Sequence, residues 1–155
     1  MQRISYNELP EGFLSTLLNV QAYVENSGLD HSLLKLIKMR VSQINGCAYC
    51  IDMHFKDAIA AGETAQRLIS VGVWRDAPYY SEKEKAVLAF AERLTRLNPE
   101  EDSSDIHDGL LPHFSKQEIA LLTLAITQIN TWNRVVRSTG IVAGTYKTKE
   151  TAAAL

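Results

Sequence analysis

The sequence predicts an all-α protein, a single compact domain of about six to seven helices, and three observations carry that reading. Apolar residues recur at intervals of three and four along most of the 155 residues. No stretch alternates apolar and polar residues between turn signals, as a half-buried strand requires. Two Ser-x-x-Glu segments, Ser81 to Glu84 and Ser115 to Glu118, have the form of a capping box, in which each side chain satisfies the other's backbone N–H at a helix start.

A first helix is expected over about residues 11–27, carried by Phe13, Leu14, Leu17, Leu18, Ala22 and Val24, and it stops near Gly28. Asp30 is placed as the N-cap of a second helix whose main apolar face is Leu33, Leu34, Ile37, Val41 and Ile44. Asn45-Gly46 is a strong turn signal, so the chain breaks there and restarts at Cys47 as a helix that ends at Gly62. Thr64 to Ser70 suits a short helix, and Val73 to Tyr80, with Pro78, a loop. The box at Ser81 opens a helix through Val87, Phe90, Ala91 and Leu94 that Asn98-Pro99 ends. Residues 100–114 are acidic and read as turn-rich. The box at Ser115 opens the last helix, Ile119 to Val136, apolar on most sides and therefore expected at the centre of the fold or at a subunit interface. From Ser138 onward there is little to bury. One domain is expected over 1–155, with its core at about 10–146 and 147–155 as a loose tail, free or docked on a neighbour.

Hydrophobic residues make up 46% of the chain, enough for a real core, so the two cysteines are not needed as a staple. A bridge across so short a loop would remove little entropy from the unfolded chain. A net charge of −2 and a pI near 6.1 carry no basic footprint for nucleic acid or an anionic membrane. No run approaches the roughly 20 apolar residues of a membrane span. Glu8, Pro10 and Glu11 interrupt the stretch where a secretory signal would lie. The expected location is a reducing cytoplasm, where a C-x-x-C pair is redox-active or metal-binding.

Both cysteines lie in Asn45-Gly46-Cys47-Ala48-Tyr49-Cys50-Ile51-Asp52-Met53-His54. On a helix of about 3.6 residues per turn, offsets of three, four and seven put Cys47, Cys50 and His54 within an arc of roughly 60°. A thiol attacks as thiolate, and a free cysteine, with a pKa of about 8.5, is mostly protonated at neutral pH. The helix N-terminus offers Cys47 partial positive charge, and His54, one turn past Cys50, is placed to take or share a proton. Cys47 is expected to be the exposed sulfur and Cys50 the deeper one. In the redox reading, Cys50 attacks a peroxide oxygen, becomes a sulfenic acid and is resolved by Cys47 to a disulfide. His54 activates the thiol and protonates the departing oxygen. An external dithiol then reduces the bridge, arriving at Cys47. The same residues also suit a zinc site, with His54 as third ligand and His31, His107 or His113 completing it, or two inert cysteines.

A thioredoxin is disfavoured, since its motif belongs in a β-α-β setting. The stretch Arg40 to His54, RVSQINGCAYCIDMH, resembles the core motif of the alkylhydroperoxidase D-like family, within the carboxymuconolactone decarboxylase superfamily. Ile129-Asn130-Thr131-Trp132-Asn133-Arg134 resembles that family's second signature segment. The resemblance implies an all-helical homo-oligomer that acts as a thiol-dependent peroxidase, takes a peroxide as substrate and needs no cofactor. It further implies reduction by a dithiol donor such as a dihydrolipoyl protein or a peroxiredoxin-type partner. The family's two cysteines carry over to Cys47 and Cys50 and its relay histidine to His54. Decarboxylase members generally lack the C-x-x-C, so its presence favours redox over lyase chemistry.

One position departs from the pattern. Family members place a relay glutamate twelve residues before the first cysteine, and this sequence has Lys35 there. A protonated lysine cannot accept a proton, although its charge can favour a thiolate, and strong desolvation can turn it into a base. The alternative is a solvated lysine on the polar stripe it shares with Lys38 and Ser42. Asp57, three residues past His54, is a candidate to orient the imidazole, against the plainer reading of a solvated aspartate. Asn133 and Arg134 are candidates for hydrogen bonds near the site, and Trp132 is expected in the core. Tyr49 is read as a packing or pocket-wall residue, and Arg40, on the flank of an apolar face, needs a carboxylate partner. The competing readings are a general disulfide reductase or redox sensor, a lyase with dispensable cysteines, and a zinc-stabilised binding module.

Overall fold

The computed structural model describes residues 2–102 and 104–148. Among the described residues there are seven α-helices and no strand. They are α1 (Phe13–Glu25), α2 (His31–Ile44), α3 (Ala48–Ala60), α4 (Ala65–Ser70), α5 (Glu82–Arg96), α6 (Ser104–Leu110) and α7 (Lys116–Thr139). Single 3-10 turns at Tyr6–Glu8 and Val71–Val73 complete the order.

The helix starts follow the sequence chemistry. Asp30 accepts the Ser32 N–H at 2.8 Å, Thr64 accepts that of Arg67, and both serine–glutamate boxes close, with the Glu84 and Glu118 carboxylates each 2.8 Å from the serine N–H. The acidic stretch is a correction: residues 104–110 are helix α6 and not a turn-rich loop. Gly109, Asp105 and Asp108 have low helix propensity, but Ile106 and Leu110 lie four apart and pack against α5, so tertiary burial overrides propensity. Arg93 of α5 clamps the approach, 3.0 Å from Glu101 and 3.8 Å from Asp105.

Helix α7 is central, as its all-round apolar surface predicts, and packs against α1, α2, α3 and α5. Helix α2 divides two cores. Ile37 belongs to the larger one with Val87, Leu122 and Ile126, while its chain neighbour Leu36 belongs to a second with Leu68, Val71 and Leu88. Arg40 has the carboxylate it was expected to need. Glu92 Oε1 accepts from Arg40 at 2.6 Å and from the Trp74 indole at 3.0 Å, and Oε2 accepts from Arg75 at 2.8 Å. Burial pushes the Glu92 carboxyl up, but the hydrogen bonds from Arg75, Trp74 and Arg40 outweigh it and hold the group below the usual carboxylate range. No helix among the described residues is long and apolar enough to cross a membrane.

Candidate active site

The break at Asn45-Gly46 is held from both sides. Gly46 has φ of 60°, a left-handed conformation that glycine adopts without a Cβ penalty, and the Cys47 N–H returns to the Ser42 carbonyl at 3.0 Å. Helix α7 supplies the other side. The Asn45 side-chain amide donates to Asn130 Oδ1 at 3.0 Å and Asn133 Oδ1 at 2.9 Å, and Arg137 Nη1 donates to the Asn45 carbonyl at 2.7 Å. Asn133, fully buried, donates to Ser42 Oγ at 3.1 Å. Asn130, Asn133 and Arg137 recur at three and four residues, so one stripe of α7 fixes the turn that aims α3.

Cys47 is the N-cap of α3 and is joined to Cys50 by a disulfide, with 5.3 Å between their Cα atoms. The expectation of an exposed Cys47 is corrected: both residues are 1% exposed. Val136 of α7, Ile141 beyond it and Tyr49 pack over the pair. Access is instead through two cavities. One, of about 390 Å³, reaches Cys47 between the head of α3 and the end of α7. The other, of about 250 Å³, is lined by Cys50 and His54 together with Lys38, Asp57 and Trp132. Tyr49 lines both, the wall position expected of it.

A third cavity, of about 270 Å³, continues past His54 and is lined by Lys35, Lys38, Glu25 and Asp57. His54 therefore stands between two openings. Burial, the larger cause, and the Lys38 ammonium push its pKa down to about 3, so the imidazole is neutral at physiological pH. Lys38 is itself fixed by Glu25 at 3.0 Å. Lys35 has no ion pair among the described residues and faces the same cavity as His54. Asp57 is not simply solvated; it accepts from the Tyr146 hydroxyl at 2.8 Å. Burial first, and then that hydrogen bond, push the Tyr146 phenol up to about 12.

Tyr146 belongs to the segment expected to be loose. Through residue 148 it lies along α3: the Gly144 N–H reaches Asp52 at 3.0 Å, and Lys56 reaches the Tyr146 carbonyl at 3.0 Å. The rest of the expected tail, 149–155, lies outside the described residues. Of the other candidates, Asn133 acts on the turn and lines neither cavity. Arg134 is exposed on α7 and donates to Asn130, at its carbonyl (2.9 Å) and Oδ1 (2.8 Å), so it touches the clamp and not the sulfurs. Trp132 is only partly core: it packs on the disulfide and lines the Cys50 cavity, with its indole N–H buried and unpartnered. Glu25, Lys38, Arg137 and Tyr146 were missed. Arg137 alone had a signal, its i+4 and i+7 spacing from Asn133 and Asn130; the others arrive from elements distant in sequence. Among the described residues no three metal-ligating side chains gather, which removes the expected grouping of His54 with a further histidine around the cysteines.

Comparison with known proteins agrees with this arrangement. The chain is 38% identical over 135 residues to the uncharacterised protein YdfG of Bacillus subtilis (strain 168), covering 86% of this chain and 91% of YdfG. It superposes with TM-score 0.87 and 36% identity on a protein of unknown function from Agrobacterium tumefaciens, a candidate antioxidant defence protein AhpD, covering 94% of this chain and 100% of that one. The debrominase Bmp8, in complex with 2,3,4-tribromopyrrole, shares the fold alone, with TM-score 0.72 and 17% identity over 84% of this chain and 70% of the other. The model of the carboxymuconolactone decarboxylase family matches residues 8–93, across α1 to α5 and the whole C-x-x-C motif. The chain belongs to the carboxymuconolactone decarboxylase family, on its alkylhydroperoxidase D-like side.

Proposed function

We propose that the protein is a thiol-dependent peroxidase that cycles Cys47 and Cys50 between dithiol and disulfide with His54 as proton carrier. The observation that carries this is the pair of bonded sulfurs with a neutral, desolvated imidazole in the cavity of Cys50. In the reduced protein His54 takes the Cys50 proton. The thiolate attacks the outer peroxide oxygen, an S–O bond forms as O–O breaks, and the departing alkoxide takes the proton from His54. Cys47 then attacks the sulfenic sulfur, the S–S bond forms, and water leaves.

Lys38 has a double effect in this scheme. Its charge lowers the basicity of His54 in the oxidised state and favours a thiolate on Cys50 once the bridge opens, and that thiolate in turn offsets Lys38 and restores basicity to the imidazole. A dithiol serves as electron donor, a cytoplasmic site keeps that donor reduced, and a homo-oligomer is the expected assembly. Stopped-flow mixing of reduced protein with an organic hydroperoxide tests the reading. A fast oxidation lost in Cys50→Ser supports it, and a slow one that Cys50→Ser leaves unchanged removes it. Lys35, standing where a relay carboxylate was expected, favours one second reading: a general disulfide reductase using the same pair. A model protein disulfide run beside the hydroperoxide separates the two, and a brominated pyrrole controls for the chemistry named for Bmp8.

A further inference from the structure

The two sulfurs open onto cavities of different charge. The Cys50 side carries both signs, with Lys38 balanced by Glu25 and with Asp57 nearby. The Cys47 side has two guanidinium groups, Arg3 and Arg137, and among the described residues no carboxylate lines it. Five other arginines find acidic partners: Arg40 and Arg75 share Glu92, Arg67 holds Glu63 and Glu84, and Arg93 holds Glu101 and Asp105, whereas Arg134 holds Asn130. Among the described residues Arg3 and Arg137 bond only backbone carbonyls, Arg3 to Arg137 and Ser138 at 3.3 and 3.4 Å and Arg137 to Asn45 at 2.7 Å. In an acidic chain this leaves positive charge uncompensated beside a disulfide sulfur. The first turn of α3, with no acidic residue and no side-chain cap, lines the same cleft through Ala48 and Tyr49.

We infer that the cleft over Cys47 binds a small dithiol bearing a carboxylate, which Arg3 and Arg137 hold while it reduces the Cys47–Cys50 bridge. This rests on the dithiol cycle proposed above and names its electron donor by chemistry. One donor thiol, as thiolate, attacks Cys47 Sγ; a donor–Cys47 bond forms, the Cys47–Cys50 bond breaks, and Cys50 leaves as thiolate into its own cavity. The donor's second thiolate attacks the donor sulfur bound to Cys47, closing the donor disulfide and releasing Cys47. Two electrons pass to the protein, and the protons of the two donor thiols end on the two cysteines by way of solvent and His54. The volume of about 390 Å³ suits a ligand of this size. Oxidant and reductant thus reach opposite ends of one S–S bond.

The test compares dihydrolipoate with dihydrolipoamide, which carry the same dithiol and differ by one negative charge. Reduction of the oxidised full-length protein is followed by acid quench, alkylation and mass spectrometry. At low salt dihydrolipoate is expected to react on the order of fivefold faster, and the preference to fade as salt rises. Arg3→Gln and Arg137→Gln each reduce the preference, Arg137→Lys retains most of it, and Arg3→Glu reverses it. The neutral donor is the internal control, because a disturbed Asn45 turn slows both donors alike. Equal rates for the two donors, or a preference that survives in the double glutamine variant, overturns the inference. The peroxide step is measured separately: a protein that prefers dihydrolipoate yet ignores hydroperoxide keeps this inference and loses the peroxidase reading.

Discussion

Two polar groups drawn out of solvent, Glu92 and His54, have opposite company. Glu92 has both oxygens engaged, by Arg40, Trp74 and Arg75, three donors from α2 and the α4–α5 connection. His54 has no hydrogen bond among the described residues and stands between two cavities. A fully paired ion fixes how helices meet and has no capacity left for a ligand. An unpaired base in a cavity contributes nothing to that fit and keeps its lone pair for chemistry. Substitution at the first is therefore expected to appear as stability, and at the second as rate.

The largest effect is expected at Glu92. Glu92→Ala leaves Arg40, whose side chain is 12% exposed, without a counter-charge, at a cost of about 3–5 kcal/mol in urea unfolding. Removing both charges together, with Arg40→Met and Glu92→Met, recovers most of that loss; equal instability of the single and double variants breaks the account of Glu92 as a neutralised hub. Next in size is His54→Gln, which lowers the peroxide reaction at pH 7 by about 100-fold while leaving the urea midpoint near that of the wild type. Because the thiol ionises unaided at high pH, the two rates converge by about pH 9.5. A constant ratio across pH assigns His54 a purely steric part.

The contrast also marks what the sequence could disclose. Arg40 announced its need of a partner because a lone charge on an apolar helix face is costly, yet nothing local named Glu92, fifty-two residues away. The Cys47, Cys50 and His54 stripe was legible because all three share one helix and 3.6-residue arithmetic is enough. The exposure of Cys47 was not, since the residues that cover it, Val136 and Ile141, come from the far end of the chain. Helix α6 was hidden by Gly109 and its aspartates, whose propensities mislead when two apolar side chains find a surface. Asn133 was rightly singled out, but its work, holding Asn45 and Ser42, requires α7 and the turn to be seen together.

Acid titration sharpens the comparison by window. An ordinary histidine takes up a proton near pH 6.5, whereas folded His54 resists until about 3. Between those values the unfolded chain binds a proton that the native protein does not, so stability falls as pH drops below about 6.5 and the loss is complete near 3. At pH 5 this amounts to about 2 kcal/mol, and His54→Gln removes it. Glu92, held below the ordinary 4.5 chiefly against its own burial, gives up its stability only as pH falls below that value. Urea midpoints from pH 7 to 4 thus lose the His54 contribution first; a wild-type profile that matches His54→Gln above pH 5 denies the imidazole its desolvated setting.

The smallest effect is expected from Lys35→Glu, the substitution that gives the cavity a carboxylate. Lys35 lines the opening beyond His54 with Lys38, Glu25 and Asp57, and it forms no ion pair among the described residues, so exchange there disturbs no partner. A negative charge at that mouth opposes the Lys38 charge that, after burial, lowers the basicity of His54. The imidazole becomes a better acceptor for the Cys50 proton and remains neutral at pH 7, so the peroxide rate is expected to rise about threefold by Brønsted behaviour. The same charge also disfavours the Cys50 thiolate, which bounds the gain. A stopped-flow series of wild type, Lys35→Gln and Lys35→Glu separates the terms: a rise from glutamine to glutamate means that the proton limits the step, and a fall means that the sulfur's charge does.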